Sequence, residues 1–273
     1  MALVVRSNAA SVFAQNRLNA NQTNFNNSLE RLASGSRINR AADDAAGLAI
    51  STTFEHRIKG QRAARQNAQE GISMIQTAEG GVEQIRGMLD RMRELAVRGS
   101  NETLSSSDRI NANEEFVQLH GEITRIAETN NFNGHNLLNA SIQLTFQVGH
   151  SDVSGDQLVA SLIGGMNAAS LAISVTILDA STSQDALALI SSALGDVNAY
   201  RSKLGSVQNR LERAVGNLDA DIENAVAANS RIRDVDFASE TALFTRSQIL
   251  MQSGTAILSQ ANSAPQAALS LLG

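Results

Sequence analysis

The sequence has no cysteine, a single proline and few aromatic residues. Among its 273 residues are eight Phe, one Tyr and no Trp. The absence of cysteine excludes disulfides, thiolate metal sites, iron–sulfur clusters and a cysteine nucleophile. Large rings dominate the burial of most cores, so a chain this poor in them must bury Leu, Ile, Val and Ala along extended seams. The scarcity of proline permits long uninterrupted helices.

The charge and the N-terminal segment argue against two classes of protein. The formal net charge is −5 with both signs interspersed, which is not the basic pattern of a nucleic-acid-binding protein. Residues 1–6 lack a basic segment followed by an apolar run, and no stretch of about 18 apolar residues occurs. We therefore expect no membrane insertion. We also expect a chain that is cytosolic or leaves the cell without a cleaved hydrophobic signal.

Two long stretches have helical spacing of apolar residues. The first repeats every 3.5 residues on average, as in a coiled coil, through Ile72, Ile75, Ala78, Val82, Ile85, Leu89, Met92 and Ala96. It predicts a helix from near Ala46 of more than about fifty residues. The second begins at Asp185 and has a similar length. We expect the two to pack antiparallel, giving a mainly α, coiled-coil-like helical rod.

Shorter elements are predicted between the two seams. A third helix follows the loop at residues 102–107, with Asp108 as its N-cap, and ends near Glu128. Asn133-Gly134 is a turn dipeptide that supplies positive φ angles. Alternating apolar and polar residues predict two strands, at 142–148 and 171–177, which form one small β element.

The two chain ends have thin, Ala-rich apolar stripes. A lone helix with such a stripe is marginal in water, because burial must offset roughly 1–2 kcal/mol of backbone entropy per residue. The ends are therefore disordered tails or helices that fold on assembly. Their periodic Leu and Ile and their scarcity of proline and charge favour folding on assembly. Composition alone does not separate an intramolecular bundle from a polymer interface.

No constellation of catalytic residues is evident. The histidines at 56, 120, 135 and 150 are scattered and lack metal-ligand spacing. Asp43-Asp44 are adjacent and diverge, so helix-start capping is favoured over acid–base catalysis. No phosphate-binding glycine loop is present. We expect no enzymatic activity, no cofactor and no metal.

Several motifs closely resemble the signatures of bacterial flagellin. In the N-terminal half these are Glu30–Asn39 (ERLASGSRIN), Asp43–Ile50 (DDAAGLAI), Asn67–Ile72, Gln76–Gly80 and Phe132–Gly134. In the C-terminal half they are Leu204–Leu211, Ser230–Asp234, Gln260–Asn262 and Leu269–Leu272. The resemblance covers about residues 1–150 and 183–273, in the order expected of the family.

The resemblance implies a filament subunit with a defined domain organisation. Residues 1–34 and 236–273 would pair as inner-tube helices, and residues 35–46 would form the connecting spoke. Residues 47–140 and 183–235 would build the outer-tube helical rod. Residues 141–182 would form a short β-hairpin region in place of the variable outer domains, so this would be a short flagellin with a smooth filament surface.

The resemblance also implies interaction sites and partners. The expected filament-core interface comprises Val12, Phe13, Leu18, Phe25, Leu29, Leu32, Ile249, Leu250, Ile257, Leu258, Leu271 and Leu272. A candidate patch for the flagellin-sensing Toll-like receptor comprises Leu89, Arg91, Arg93, Glu94, Leu95 and Glu115. The expected partners are other copies of the chain, an export chaperone, the filament cap and hook-junction proteins, after export by the flagellar type III pathway without a cleaved signal peptide.

Two alternatives to a swimming-filament subunit remain at this stage. A flagellar hook–filament junction protein would share the terminal architecture, although the residues at 230–234 and 269–273 favour flagellin. A flagellin-like cell-surface glycan-binding protein would need an aromatic-lined groove for sugar stacking. A chain with no Trp and one Tyr can hardly build such a groove.

Overall fold

The chain is mainly α-helical, as the sequence predicts. The computed structural model describes residues 7–162, 165–173 and 176–270. Within these ranges the helices are α1 (Ala9–Ser34), α2 (Ala45–Gly99), α3 (Ser106–Thr129), α4 (Ala180–Arg233) and α5 (Phe237–Ser270). The strands are β1 (Asn131–Phe132), β2 (His135–Asn136), β3 (Ile142–Gln147) and β4 (Gln157–Leu162). A short 3-10 helix covers Ser154–Asp156.

The chain forms two compact units, each made of segments that are distant in sequence. The terminal unit comprises Met1–His56 with Asn224–Gly273, and the middle unit comprises Arg57–Glu223. The two long seams end close to their predicted limits. Helix α2 has 55 residues and α4 has 54, so the prediction of two helices of about fifty residues is confirmed.

Ion pairs give the direction of α4 along α2 in the middle unit. Arg65 Nη1 lies 3.0 Å from Asp219 Oδ1. Arg201 Nη1 lies 2.9 Å from Glu83 Oε2. The partner's number on α4 falls as the number on α2 rises, so the two helices run antiparallel as predicted.

The core of the middle unit consists of large apolar side chains, most of them aliphatic and, on α2, at the predicted seam positions. Those exposed by no more than 1% are Ile75, Val82, Ile85, Leu89 and Met92 on α2, Phe116 and Ile123 on α3, and Ile190, Val197, Leu204 and Leu211 on α4. Each such side chain contributes about 1.5–3 kcal/mol when removed from water. The middle unit therefore has a continuous apolar core despite the scarcity of rings.

The loop and cap around α3 differ slightly from the prediction. Helix α3 begins at Ser106, and the side chain of Ser105 accepts a hydrogen bond from the Asp108 backbone amide. The prediction of Asp108 as the N-cap is therefore wrong by one turn. Asp108 lies instead in the first turn, where it receives the Ser105 hydroxyl at 2.7 Å and its charge suits the helix N-terminus.

The turn after α3 is formed as predicted by Asn133 and Gly134. Their φ angles are +48° and +82°, which a two-residue hairpin turn of this kind requires. β1 and β2 flank the turn, and Phe132 pairs with His135.

One of the two predicted strands is wrong. β3 forms as expected, but its antiparallel partner is β4, with Leu144 opposite Ala160. The segment at 171–177 is not a strand in its described residues, since Ala172 has a φ of +53° and Ile173 donates its amide to the Ala168 carbonyl at 3.1 Å. Leu171 and Ile173 are both buried, so their apolar spacing serves a compact turn that packs on the core.

Burial of the single tyrosine predicts a loss of stability in alkaline solution. Tyr200 is 2% exposed and donates its hydroxyl to the Leu137 carbonyl at 3.0 Å, and burial raises its pKa to about 12. Above pH 10 the unfolded chain loses the phenolic proton while the folded chain retains it. We expect the free energy of unfolding to fall by roughly 2–3 kcal/mol between pH 10 and pH 12.

The measurement is denaturant unfolding at several pH values, together with tyrosinate absorbance. The absorbance is unambiguous because the chain has one Tyr and no Trp. Tyr200→Phe is the control and should lack this component of the pH dependence. Ionisation of Tyr200 near pH 10 in the folded protein would contradict the prediction.

Candidate interaction surface

Helices α1 and α5 pack antiparallel in the terminal unit. Asn8 Nδ2 donates to the Ala261 carbonyl at 2.7 Å, and Ser11 Oγ donates to Asn262 Oδ1 at 2.7 Å. Farther along, the rings of Phe25 and Phe244 stack with their centroids 4.7 Å apart. The two ends of the chain thus pair along most of the described length of both helices.

The contact between α1 and α5 follows a seven-residue repeat on each helix. The half-buried or buried seam positions on α1 are Ser11, Ala14, Leu18, Asn21, Phe25, Ser28 and Leu32. Those on α5 are Glu240, Phe244, Ser247, Met251, Gly254, Leu258 and Ala261. Alternating steps of three and four residues are the coiled-coil spacing. This pair is therefore a short antiparallel coiled coil.

The seam of this coiled coil contains no fully buried apolar side chain among the described residues. Only Ser28 on α1, and Glu240 and Ser247 on α5 through residue 263, are buried. Close approach comes instead from small residues such as Gly254, where an added Cβ would lie 3.2 Å from a Leu18 methyl. The apolar contribution to stability is much smaller here than in the middle unit.

The outward faces of α1 and α5 expose large apolar side chains. The most exposed are Phe13 (61%), Ile257 (60%), Val12 (58%), Phe237 (57%) and Ile249 (56%). Arg17 lies over the Phe13 ring with its Cζ 5.1 Å from the centroid. This cation–π contact offsets part of the free-energy cost of exposing the ring. Half of the exposed large apolar side chains in the described residues lie on these two helices, and this density indicates a surface that another protein chain covers.

The predicted filament-core residues divide between the seam and the outward faces. Four lie half-buried in the α1–α5 seam: Leu18, Phe25, Leu32 and Leu258. Six lie exposed: Val12, Phe13, Leu29, Ile249, Leu250 and Ile257. Leu271 and Leu272 lie outside the described residues. The predicted set omitted Phe237 and Leu243, which are also exposed and could have been found from their position just after the Ser230–Asp234 motif.

The connector (residues 35–46) is fixed to the segment that precedes α5. Gly35 ends α1 with a φ of +69°, a left-handed conformation that glycine adopts without strain. Its carbonyl accepts the Val235 amide at 3.0 Å, and the Arg37 amide donates to the Arg233 carbonyl at 2.6 Å. Ile38 is 1% exposed and anchors the connector within the terminal unit.

The two adjacent carboxylates of the connector act as caps. Asp44 Oδ1 accepts the Gly47 amide at 2.8 Å at the start of α2. Asp43 Oδ2 accepts the amides of Arg40 at 3.0 Å and Asn39 at 3.1 Å. These hydrogen bonds, that of Arg40 first, lower the pKa of Asp43. The predicted helix-start capping is confirmed, and the carboxylates are committed to backbone amides.

The residues of the candidate receptor patch occupy two different environments in the middle unit. Leu89 and Leu95 are buried in the core, at 0% and 2% exposure. The other four are charged and reach the surface: Arg91, Arg93, Glu94 and Glu115. Only these four are available to a partner that binds the folded unit.

Arg91 joins two of these charged residues. Its Nε donates to Glu115 Oε1 at 2.7 Å, and its Nη1 donates to Glu94 Oε2 at 2.8 Å. The hydrogen bond from Arg91 lowers the pKa of Glu115. All three side chains are substantially solvent-exposed, so the network organises the surface without adding much stability.

The described ranges contain neither a membrane-spanning helix nor a metal-binding group. None of their helices is both long enough and apolar enough to cross a membrane. In the same ranges, no three His, Asp or Glu side chains come together as a metal-binding group.

Comparisons with known proteins agree on one family. The family model of the bacterial flagellin N-terminal helical region matches residues 5–143, and that of the C-terminal helical region matches residues 187–272. The chain is similar to a flagellin of Halalkalibacterium halodurans, with 43% identity over 99% of this chain and 100% of that protein. It is also similar to the flagellar filament 33 kDa core protein of Treponema phagedenis, with 39% identity over 99% and 100% of the two chains.

A solved structure shares the fold. It is described as a flagellar hook-associated protein from Vibrio parahaemolyticus, and it matches with a TM-score of 0.61 over 70% of this chain and 100% of that one. At 13% identity this likeness concerns the fold alone. The family models together match most of the chain, and the two relatives match almost all of it. The chain therefore belongs to the bacterial flagellin family.

Proposed function

We propose that the α1–α5 pair of this filament subunit is buried between neighbouring copies, at the centre of the polymer. As a flagellin, the chain is a structural protein of the flagellar filament. The observation that carries the proposal is the contrast between its two units. The middle unit has a continuous core of large apolar side chains, although Val97, Ile110, Val117 and Val153 on its surface are more than half exposed. In α1, and in α5 through residue 263, no large apolar side chain is fully buried, and Phe13, Ile249 and Ile257 are more than half exposed.

The same contrast supports the assignment of the remaining segments. Residues 1–34 and 236–273 would form the inner tube, joined by the spoke at 35–46 to the outer tube of residues 47–140 and 183–235. Residues 141–182 would replace the variable outer domains of longer flagellins. Their regular strands are limited, in the described part, to the six-residue β3 and β4, which supports a filament with a smooth surface.

The proposed partners follow from the exposed terminal helices. An export chaperone would cover them before assembly, and the filament cap and hook-junction proteins would meet them at the two ends of the polymer. Export by the flagellar type III pathway requires an unfolded chain, and a chain without cysteine carries no cross-link that would hinder unfolding. The receptor contact stays a prediction that concerns Arg91, Arg93, Glu94 and Glu115.

The experiment that tests the proposal compares amide hydrogen exchange in the monomer and in the polymer. The purified protein is assembled by salting out, and filaments are identified by negative-stain electron microscopy. We expect residues 72–96 and 187–222 to be protected in both states. Residues 9–34 and 237–263 should exchange rapidly in the monomer and slowly in the filament, because only neighbouring copies complete their burial.

The outcome that contradicts the proposal is equally clear. Strong protection of both terminal helices in a dilute monomer would mean that they fold without neighbours. Unchanged exchange of these helices on assembly would place the subunit contacts elsewhere in the chain.

A further inference from the structure

The apolar residues of the α1–α5 coiled coil do not by themselves select one alignment (register) of α5 along α1. The seam positions repeat every seven residues on both helices, so a slip of seven residues superimposes one seam on itself. Small and polar seam residues such as Ala14, Ser28 and Ser247 fit many neighbours. In a repeat of this kind, a polar group at a single seam position can select one register.

Glu240 is such a group. It occupies a seam position on α5 and is 6% exposed. Its Oε2 lies 3.8 Å from Arg31 Nη1. Its Oε1 accepts no hydrogen bond within the described part of the chain. A buried carboxylate with incomplete hydrogen bonding lowers stability, so specificity explains its position better than stability does.

A slip of seven residues removes the partner of this carboxylate. In one direction Glu240 moves from Arg31 to the level of Phe25, where a ring faces the buried charge. In the other direction it passes Ser34, the last residue of α1. Phe244 itself would find another apolar neighbour in either direction, Leu18 in the first and Leu32 in the second. The hydrogen bonds of Asn8 with Ala261 and of Ser11 with Asn262 would also break, but water can replace the exposed contact of Ser11. The buried carboxylate of Glu240 is therefore the seam group that most strongly disfavours a shifted register.

We propose that Arg31 and Glu240 set the register of α5 on α1 and thereby fix the outward apolar surface that neighbouring copies bind. The claim that these two residues set the register concerns a single chain. The claim that the register fixes the surface bound by neighbouring copies rests on the proposed function. The bridge in which Gly35 accepts the Val235 amide is the competing register device. A test must therefore leave that bridge intact.

The test uses cysteine pairs in a chain that has no cysteine of its own. Ser11→Cys with Asn262→Cys reports the observed register, because the two side chains are in hydrogen-bond contact at 2.7 Å. Ser11→Cys with Thr255→Cys reports a slip of seven residues, since Thr255 holds the same heptad position as Asn262. Each pair is oxidised in assembled protein, and the intrachain disulfide is quantified by mass spectrometry.

The two pairs are compared in the parent chain and in the Arg31→Leu, Glu240→Leu double variant. Replacing a buried ion pair by apolar residues is often neutral or stabilising, so the coiled coil should persist. We expect the disulfide between positions 11 and 255, which reports the shifted register, to be a trace product in the parent. Its yield should rise at least about tenfold in the double variant. Glu30→Gln is the matched control, because it removes an exposed ion pair with Arg40 and should leave both yields unchanged.

Each other result overturns the proposal in a distinguishable way. If the double variant cross-links only at Asn262, the backbone bridge sets the register and the ion pair does not. If the double variant cross-links at neither position, the ion pair holds the helices together and does more than select among registers. Failure of the Asn262 pair in the parent chain would contradict the α1–α5 pairing and the proposed function with it.

Discussion

Truncation after Val235, which removes residues 236–273, is expected to abolish filament formation and to leave a folded middle unit. The deleted segment contains α5 and half of the α1–α5 seam. The core side chains of the middle unit, such as Val82, Phe116 and Leu204, lie within residues 57–223. Without α5, the stripe of α1 has no partner in its own chain, and α1 should lose its helical structure as well.

The measurement combines circular dichroism, denaturant unfolding and electron microscopy after salting out. The loss of helical signal should exceed the share of α5 alone, because α1 unfolds with it. The midpoint for unfolding of the middle unit should stay close to that of the full chain, which serves as the control. Filaments formed by the truncated chain would show that the terminal pair is dispensable for assembly.

Ile249→Asp is expected to abolish assembly without changing the stability of the monomer. Ile249 is 56% exposed in the subunit, and surface substitutions of this kind usually change stability by no more than about 0.5 kcal/mol. In the polymer the same position would place an ionised carboxylate in an apolar contact. Burying a carboxylate without a countercharge costs far more free energy than one side chain gains from the subunit contact, so polymerisation should fail.

The matched control is Gln248→Asp, which adds the same charge at the neighbouring exposed position. Sedimentation and electron microscopy across a range of protein and salt concentrations compare the two variants with the parent chain. The control should assemble with a critical concentration near that of the parent. Equal assembly of both aspartate variants would remove Ile249 from the subunit contact, and equal failure of both would indicate general charge repulsion.

Much of the helical framework could be predicted because its signal is long and periodic. The first seam predicted a helix from near Ala46, and α2 begins at Ala45. The sequence failed where the signal was short. In β4, Leu158 and Ala160 are buried while Val159 between them is 42% exposed. Because all three are apolar, the sequence of the strand shows no clear alternation of apolar and polar residues. The alternation at 171–177 instead belongs to a turn whose Ala172 adopts a positive φ.

The sequence indicates which residues of the chain ends are apolar, but not how they divide between the α1–α5 seam and the exposed faces. Leu18 and Ile257 both carry the apolar pattern of their helices, yet the first contacts the other end of the chain and the second faces outward. Periodicity identifies a stripe without stating which partner covers it. Glu240 shows the reverse difficulty, because a glutamate in an Ala- and Ser-rich helix gives no sign of burial until Arg31 is placed beside it.

The exposed faces of α1 and α5 carry different residues, with Val12 and Phe13 on one and Ile249 and Ile257 on the other. A contact between the α1 face of one subunit and the α5 face of the next is head-to-tail. It leaves one unmatched face at each end of the polymer. Growth then has no built-in stopping point. The length of such a fibre would depend on the supply of new molecules and on breakage, and the shape of the molecule alone would not determine it.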